Sequence, residues 1–158
     1  MNAITQPIYA ETEAAAKVDR LEAALAILPQ CDMPLTHRFT PGLYMREIFM
    51  PKGAIVISKI HKTEHPFVIL KGRANVWIDG QGVVKLKAPH VGITKPGTRR
   101  VLYIPEDCSW ITFHPTSQTD LEQIEDEVIL KRPSTVQASE VPEYVADIIN
   151  ELRRLEDV

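Results

Sequence analysis

The side chains able to do chemistry gather between residues 59 and 65. Lys59, His61, Thr63 and His65 alternate along the chain, so a regular strand there would turn all four to one face. Imidazoles change charge near neutral pH and, when neutral, ligate transition metals. The lysine brings a point charge, and Arg100 a planar fork suited to carboxylate or phosphate. Lys59, His61, His65 and Arg100 brought together would make an anion pocket, and Trp77 and Tyr103 are further candidates for contact with a ligand. His37 and His90 fall between the predicted elements and read as solvated loop residues. Arg99 and Arg100 also have a plain reading, as partners of surface acids such as Glu106 and Asp107. Other constellations are absent. There is no Gly-rich phosphate loop, no Rossmann fingerprint and no G-x-S-x-G elbow. Cys31 and Cys108 are not in a C-x-x-C pair, and both read as free, mostly buried thiols.

These side chains need elements to position them. Short β-branched or aromatic runs, cut by turn residues, predict strands at Tyr44–Met50, Ile55–Ile60, Phe67–Lys71, Ala74–Ile78, Val83–Lys87, Gly92–Thr94, Arg100–Ile104 and Trp110–His114. Asp79-Gly80, between Trp77 and Val83, is a hairpin signal. Strands at this spacing leave no room for helical crossovers, so the sheet is expected to be an antiparallel sandwich or barrel. The ends read as helical. Val18, Leu21, Leu25 and Leu28 recur at helical steps over Thr12 to Leu28, and Pro29 stops the run. A capping box at Thr119-Asp120-Leu121-Glu122 opens a short helix with Leu121, Ile124 and Val128 on one face. Tyr144 to Leu155 forms a last apolar stripe, reached through the polar stretch Lys131 to Glu140. The organisation expected is an N-terminal helical segment, 1–33, a β-barrel, 34–116, and a C-terminal helical segment, 117–158, packed on the barrel or on a partner.

Bulk properties exclude several classes. A chain of 158 residues with 44% apolar and 25% charged residues suits one globular core. The net charge of −3 gives no basic face for nucleic acid. No apolar run has membrane-spanning length, and Met1 to Ala10 carries no signal-peptide pattern, so a cytoplasmic protein is expected.

The strand region resembles the cupin superfamily, the RmlC-like jelly rolls. Its first motif is G-x5-H-x-H-x3,4-E-x6-G. Gly53, Lys59, His61, His65 and Gly72 match the spacing, with Lys59 in place of the first His and His65 in place of Glu. Its second motif is G-x5-P-x-G-x2-H-x3-N. Gly92, Pro96 and Gly97 match with shortened spacing, Arg100 stands for the His and Ile104 for the Asn. The resemblance covers about 70 of the 158 residues. The small helix-flanked chain with its Pro96-Gly97-Thr98-Arg99-Arg100 stretch is also similar to cupin-like proteins carried by bacteriophages.

The resemblance implies a mainly β jelly-roll barrel with flanking helices. It also implies an interior site where three His and one Glu hold one divalent transition metal, Mn, Fe, Ni or Zn, with positions left open for substrate. His61 and His65 carry over as ligands. Glu64 replaces His65 if the turn before Pro66 rotates the chain by one residue. His114, at the end of the last strand, and Glu47, on the first, are the candidates to complete the set. Two functional readings stay open: a small-molecule-binding cupin, acting as a metal-dependent enzyme if the metal set is complete, and a non-catalytic binding or assembly module for an anionic ligand or a protein partner. Cupins are often dimers, and amphipathic helices beside a small barrel would supply a homodimer interface.

Overall fold

The computed structural model describes residues 6–132, together with 150, 153 and 154. The element order is α1 (Glu13–Ala26), β1 (Leu35–Thr40), β2 (Leu43–Met50), β3 (Ile55–Ile57), β4 (His65–Ile78), β5 (Gly82–Lys87), β6 (His90–Thr94), β7 (Arg100–Pro115) and α2 (Leu121–Val128). All pairings are antiparallel. The C-terminal stripe lies outside the described residues, apart from Asn150, Arg153 and Arg154. No helix among the described residues is long and apolar enough to cross a membrane.

Two long strands make the sandwich. β4 pairs first with β6 and then with β5, and β7 runs beside it throughout. The β4–β7 register shifts between Ile69 and Asn75, so both strands bend there and pass from one sheet to the other. One sheet is therefore β1-β2-β7-β4-β6, and the other β3-β7-β4-β5. Four expected strands thus merge into two. Lys71-Gly72 and Pro105-Glu106-Asp107 are bends within strands, because pairing with the neighbouring strand continues across them, Lys71 with Ser109 and Arg73 with Glu106. At the bend Gly72 has φ +83, and a Cβ there would lie 1.9 Å from the Asp107 carbonyl oxygen. β1 was not anticipated. It is an edge strand, mostly exposed and mostly polar, so its alternation is weak.

Alternation decides what each face packs. Leu102, Ile104, Val76, Ile69, Phe67 and Trp110 point inward. Val101 and Tyr103 point outward and are covered by Val18 and Leu21 of α1, with Trp77 and Val83 beside them. Val18, Leu21 and Leu25 are thus spent on the barrel, while Leu28 lies past the end of the helix and is exposed. Thr12 caps that helix, its Oγ1 accepting from Ala15 N at 3.0 Å. Arg99 also ties α1 down, donating to Asp19 at 2.7 Å and pairing with Glu22. It does not reach Glu106, which holds Arg73, nor Asp107, which accepts from Lys52 N. α2 closes the other end, burying Ile124 and Val128 on Tyr44. Its cap is Asp120, which accepts from Gln123 N at 3.0 Å, one residue later than the expected Thr119.

Candidate metal centre

The concave face of the larger sheet is ordered in rows, because paired residues on neighbouring strands share a face. One row reads Tyr44, His114, His65, Thr94 across β2, β7, β4 and β6. The next reads Arg46, Thr112, Phe67, Gly92, and the third Ile48, Trp110, Ile69, His90. Continuing the Phe67–Thr112 register by two residues brings His65 beside His114. His61 reaches them from outside the sheet. Beyond β3 the chain leaves the ladder, and His61 makes an isolated bridge with Ile129, just after α2. Lys62 N to Val128 O (2.7 Å), Leu130 N to Ile60 O (2.8 Å) and Gly97 N to His61 O (2.9 Å) hold that segment. The regular 59–65 strand of the sequence reading does not form. β4 begins at His65, whose side chain is buried, so Glu64 does not replace it. Glu64 instead pairs with Lys95 at the surface.

The three rings converge. Centroids lie 4.3 Å apart for His61–His65, 4.6 Å for His65–His114 and 5.3 Å for His61–His114. One ring nitrogen from each lies within 4.8 Å of the others. Burial is the main cause that holds all three neutral: His61 is lowered to about 3 and His114 to about 4, and His65 is lowered too. The rings repel one another when charged, and Arg46 or Arg100 add to this. Neutral imidazole is the form that ligates metal. His65 Nδ1 donates to the Thr63 carbonyl at 3.1 Å, which leaves its Nε2 lone pair available. His114 Nε2 meets Thr112 Oγ1 at 2.9 Å, while His114 Nδ1 is buried without a partner, as is Thr94 Oγ1 in the same row. A buried orphan nitrogen beside two more imidazoles is what a shared divalent cation would satisfy, so the residues fit a metal.

This strand order, with a histidine cluster under the mouth of the sandwich, decides the fold. The chain is an antiparallel β-sandwich of the jelly-roll type. Solved structures with similar folds include an uncharacterized conserved protein with a double-stranded β-helix domain from Klebsiella pneumoniae, 16% identical, with a TM-score of 0.48 over 63% of this chain and 90% of that one. A cupin-2 domain containing protein from Shewanella frigidimarina is 14% identical, with a TM-score of 0.43 over 65% of this chain and 98% of its own. A putative ethanolamine utilization protein Q from Salmonella typhimurium is 16% identical, at 0.47 over 61% and 76%. No protein-family model and no curated protein matches the sequence.

Beside the histidines the barrel holds a cavity of about 510 Å³, lined in part by His61, His65, His114, Arg46, Arg100 and Lys59. Sequence reasoning named five of these six. Lys59 is not free for a ligand, since it pairs with Glu125 of α2. Arg100 enters the cavity, its guanidinium 5.0 Å over the Phe67 ring and 5.7 Å from that of Trp110, and its backbone N donates to Ser58 Oγ at 2.8 Å. Glu47 is on the opposite face of β2 and pairs with Arg38 at 3.4 Å, so it cannot join the histidines. Trp77 and Tyr103 lie under α1, outside the barrel, because their strand parity is that of Val101. His37 is not in a loop: it stands on β1 and lines the cavity, its Nδ1 2.6 Å from the Tyr44 hydroxyl. His90 likewise belongs to a strand, β6, against the Phe67 ring at 5.7 Å. Arg46 was missed. Its one available signal was an arginine at the inward parity of Tyr44, Ile48 and Met50 on β2. Cys108 is buried, with its thiol pushed up to about 11 by burial, and Cys31 is exposed rather than buried.

Proposed function

We propose that this barrel binds a divalent transition metal through His61, His65 and His114 and presents it to a small molecule in the adjoining cavity. The convergence of three neutral imidazoles with an orphaned buried nitrogen carries the reading. Imidazole ligands without a carboxylate suit Zn, Fe or Ni better than Mn, which prefers oxygen donors. Such an ion, when bound, supplies Lewis acidity to an oxygen-bearing ligand. The chain's own residues do the rest. Thr63 and Thr112 orient two of the rings through their hydrogen bonds. Ile124 and Val128 on α2 help to wall the cavity from water. A homodimer and a cytoplasmic location remain part of the proposal.

Elemental analysis of tag-free protein tests it. About one transition metal per chain is expected, and its loss from both His61→Ala and His65→Ala. No metal in any sample after incubation with Zn, Fe, Ni or Mn salts would leave the second reading, a metal-free binding module.

A further inference from the structure

We infer that the cavity takes a small organic acid with an apolar body, its carboxylate held by Arg100 and Arg46 beside the histidine cluster. The inference deepens the small-molecule reading above by naming the ligand's class. Both guanidiniums line the cavity, and among the described residues neither forms a salt bridge. Arg46 faces Glu125, but that carboxylate is already paired with Lys59. Among the described residues no acidic side chain pairs with Arg100, and burial pushes its pKa down. A half-buried cation without a counter-charge costs stability that an anion would restore.

The two arginines belong to one place. Arg46 shares a row with Phe67, and Arg100 lies over that same ring. Gly92 ends the row, and a Cβ there would come within 2.5 Å of the Phe67 ring. The missing side chain is therefore what lets Phe67 lie flat under Arg100, stacked on Trp110 at 4.6 Å. A guanidinium on an aromatic bed keeps its plane and presents its fork edgewise, the geometry for a bidentate carboxylate. The other walls, Ile48, Met50, Leu102 and Ile124, are apolar and suit a hydrocarbon body. The apolar share of these walls leaves two guanidiniums as the anion's partners, which suits a planar monoanionic carboxylate better than a phosphate dianion with three oxygens to satisfy.

The test is calorimetric titration of the full chain, metal-loaded and metal-stripped, with a panel of aryl and alkyl monocarboxylates, their uncharged amides and the matching phosphate monoesters. At least one acid is expected to bind about tenfold or more tightly than its amide, with phosphate monoesters weaker. Arg100→Gln abolishes that preference, Arg100→Lys restores part of it, and Arg46→Gln reduces it, while metal content stays near that of the parent and the thermal midpoint does not fall. No acid preferred over its amide in either state overturns the inference, as does a preference that survives Arg100→Gln. A preference for phosphate monoesters would overturn the carboxylate assignment. Failure of the metal reading is separately visible: the acid preference would then persist in protein that takes up no metal.

Discussion

Two residues on from the Phe67–Thr112 pair, His65 of β4 faces His114 of β7 with ring centroids 4.6 Å apart. Antiparallel register therefore assembles two-thirds of the candidate metal set, and the third member arrives on a segment clipped down by the exit of α2. Because the pair is built into the sheet, it is preorganised in the metal-free protein.

Substitution of His114 should be as harmful to metal binding as substitution of His61 or His65, although it lies in neither cupin motif. Loss of an outer-shell partner alone weakens a metal site by about 10–100-fold, so His114→Asn is expected to exceed that range. Competition with a coloured chelator measures it. Metal affinity unchanged in His114→Asn would remove this residue from the site.

The same burial makes the metal-free fold sensitive to acid. His61 and His114 titrate near 3 and 4 when folded and near 6.5 when unfolded. Below pH 6.5 the unfolded chain binds more protons than the native one, so stability declines as pH falls toward 4 and the decline levels off below the folded values. The steepest slope is about 1 kcal/mol per pH unit for each histidine. Urea midpoints of stripped protein between pH 7.5 and 4.5 should show the decline, and His61→Gln should flatten it. A His61→Gln profile as steep as the parent's would contradict the assignment.

Gly72→Ala should be severe. The residue sits at φ +83 in the bend of β4, and its Cβ would meet the Asp107 carbonyl oxygen at 1.9 Å, a backbone atom that cannot step aside. A cost above about 2 kcal/mol is expected from strain of this kind, and chemical denaturation reads it. Gly80→Ala is the useful contrast: φ is also positive there, but nothing lies within 4 Å, so the milder penalty of backbone conformation alone remains.

Arg99 helps to anchor α1, with its side chain 5% exposed between Asp19 and Glu22. Truncating one partner of a fully buried pair costs about 3–5 kcal/mol. Here Asp19 keeps Arg132 at 3.0 Å and Glu22 is largely exposed, so Arg99→Ala should cost less, about 2 kcal/mol. Hydrogen exchange should rise first in α1, at Val18 and Leu21, while β4 and β7 stay protected. Uniform loss of protection across the sandwich would show that α1 is not a separable layer.

Much of the fold was legible in the chain itself. Turn residues and β-branched runs marked most strands, helical spacing marked α1 and α2, and the absence of crossover helices required an antiparallel sandwich. His61, His65, His114 and Arg100 were legible as chemically able residues. What the one-dimensional pattern could not carry was parity and register. A strand's two faces look alike until its neighbours are known, which is why Glu47, Trp77 and Tyr103 read as site residues and lie outside it, while Arg46 and His37 read as background and line the cavity. Lys71-Gly72 and Pro105-Glu106-Asp107 looked like breaks between strands because turn chemistry and strand bends use the same residues; only the long-range β4–β7 pairing distinguishes them. Composition and local pattern thus determined that a barrel forms and which side chains it has to use. The tertiary structure decided which of them meet, because meeting depends on pairings between residues far apart in sequence.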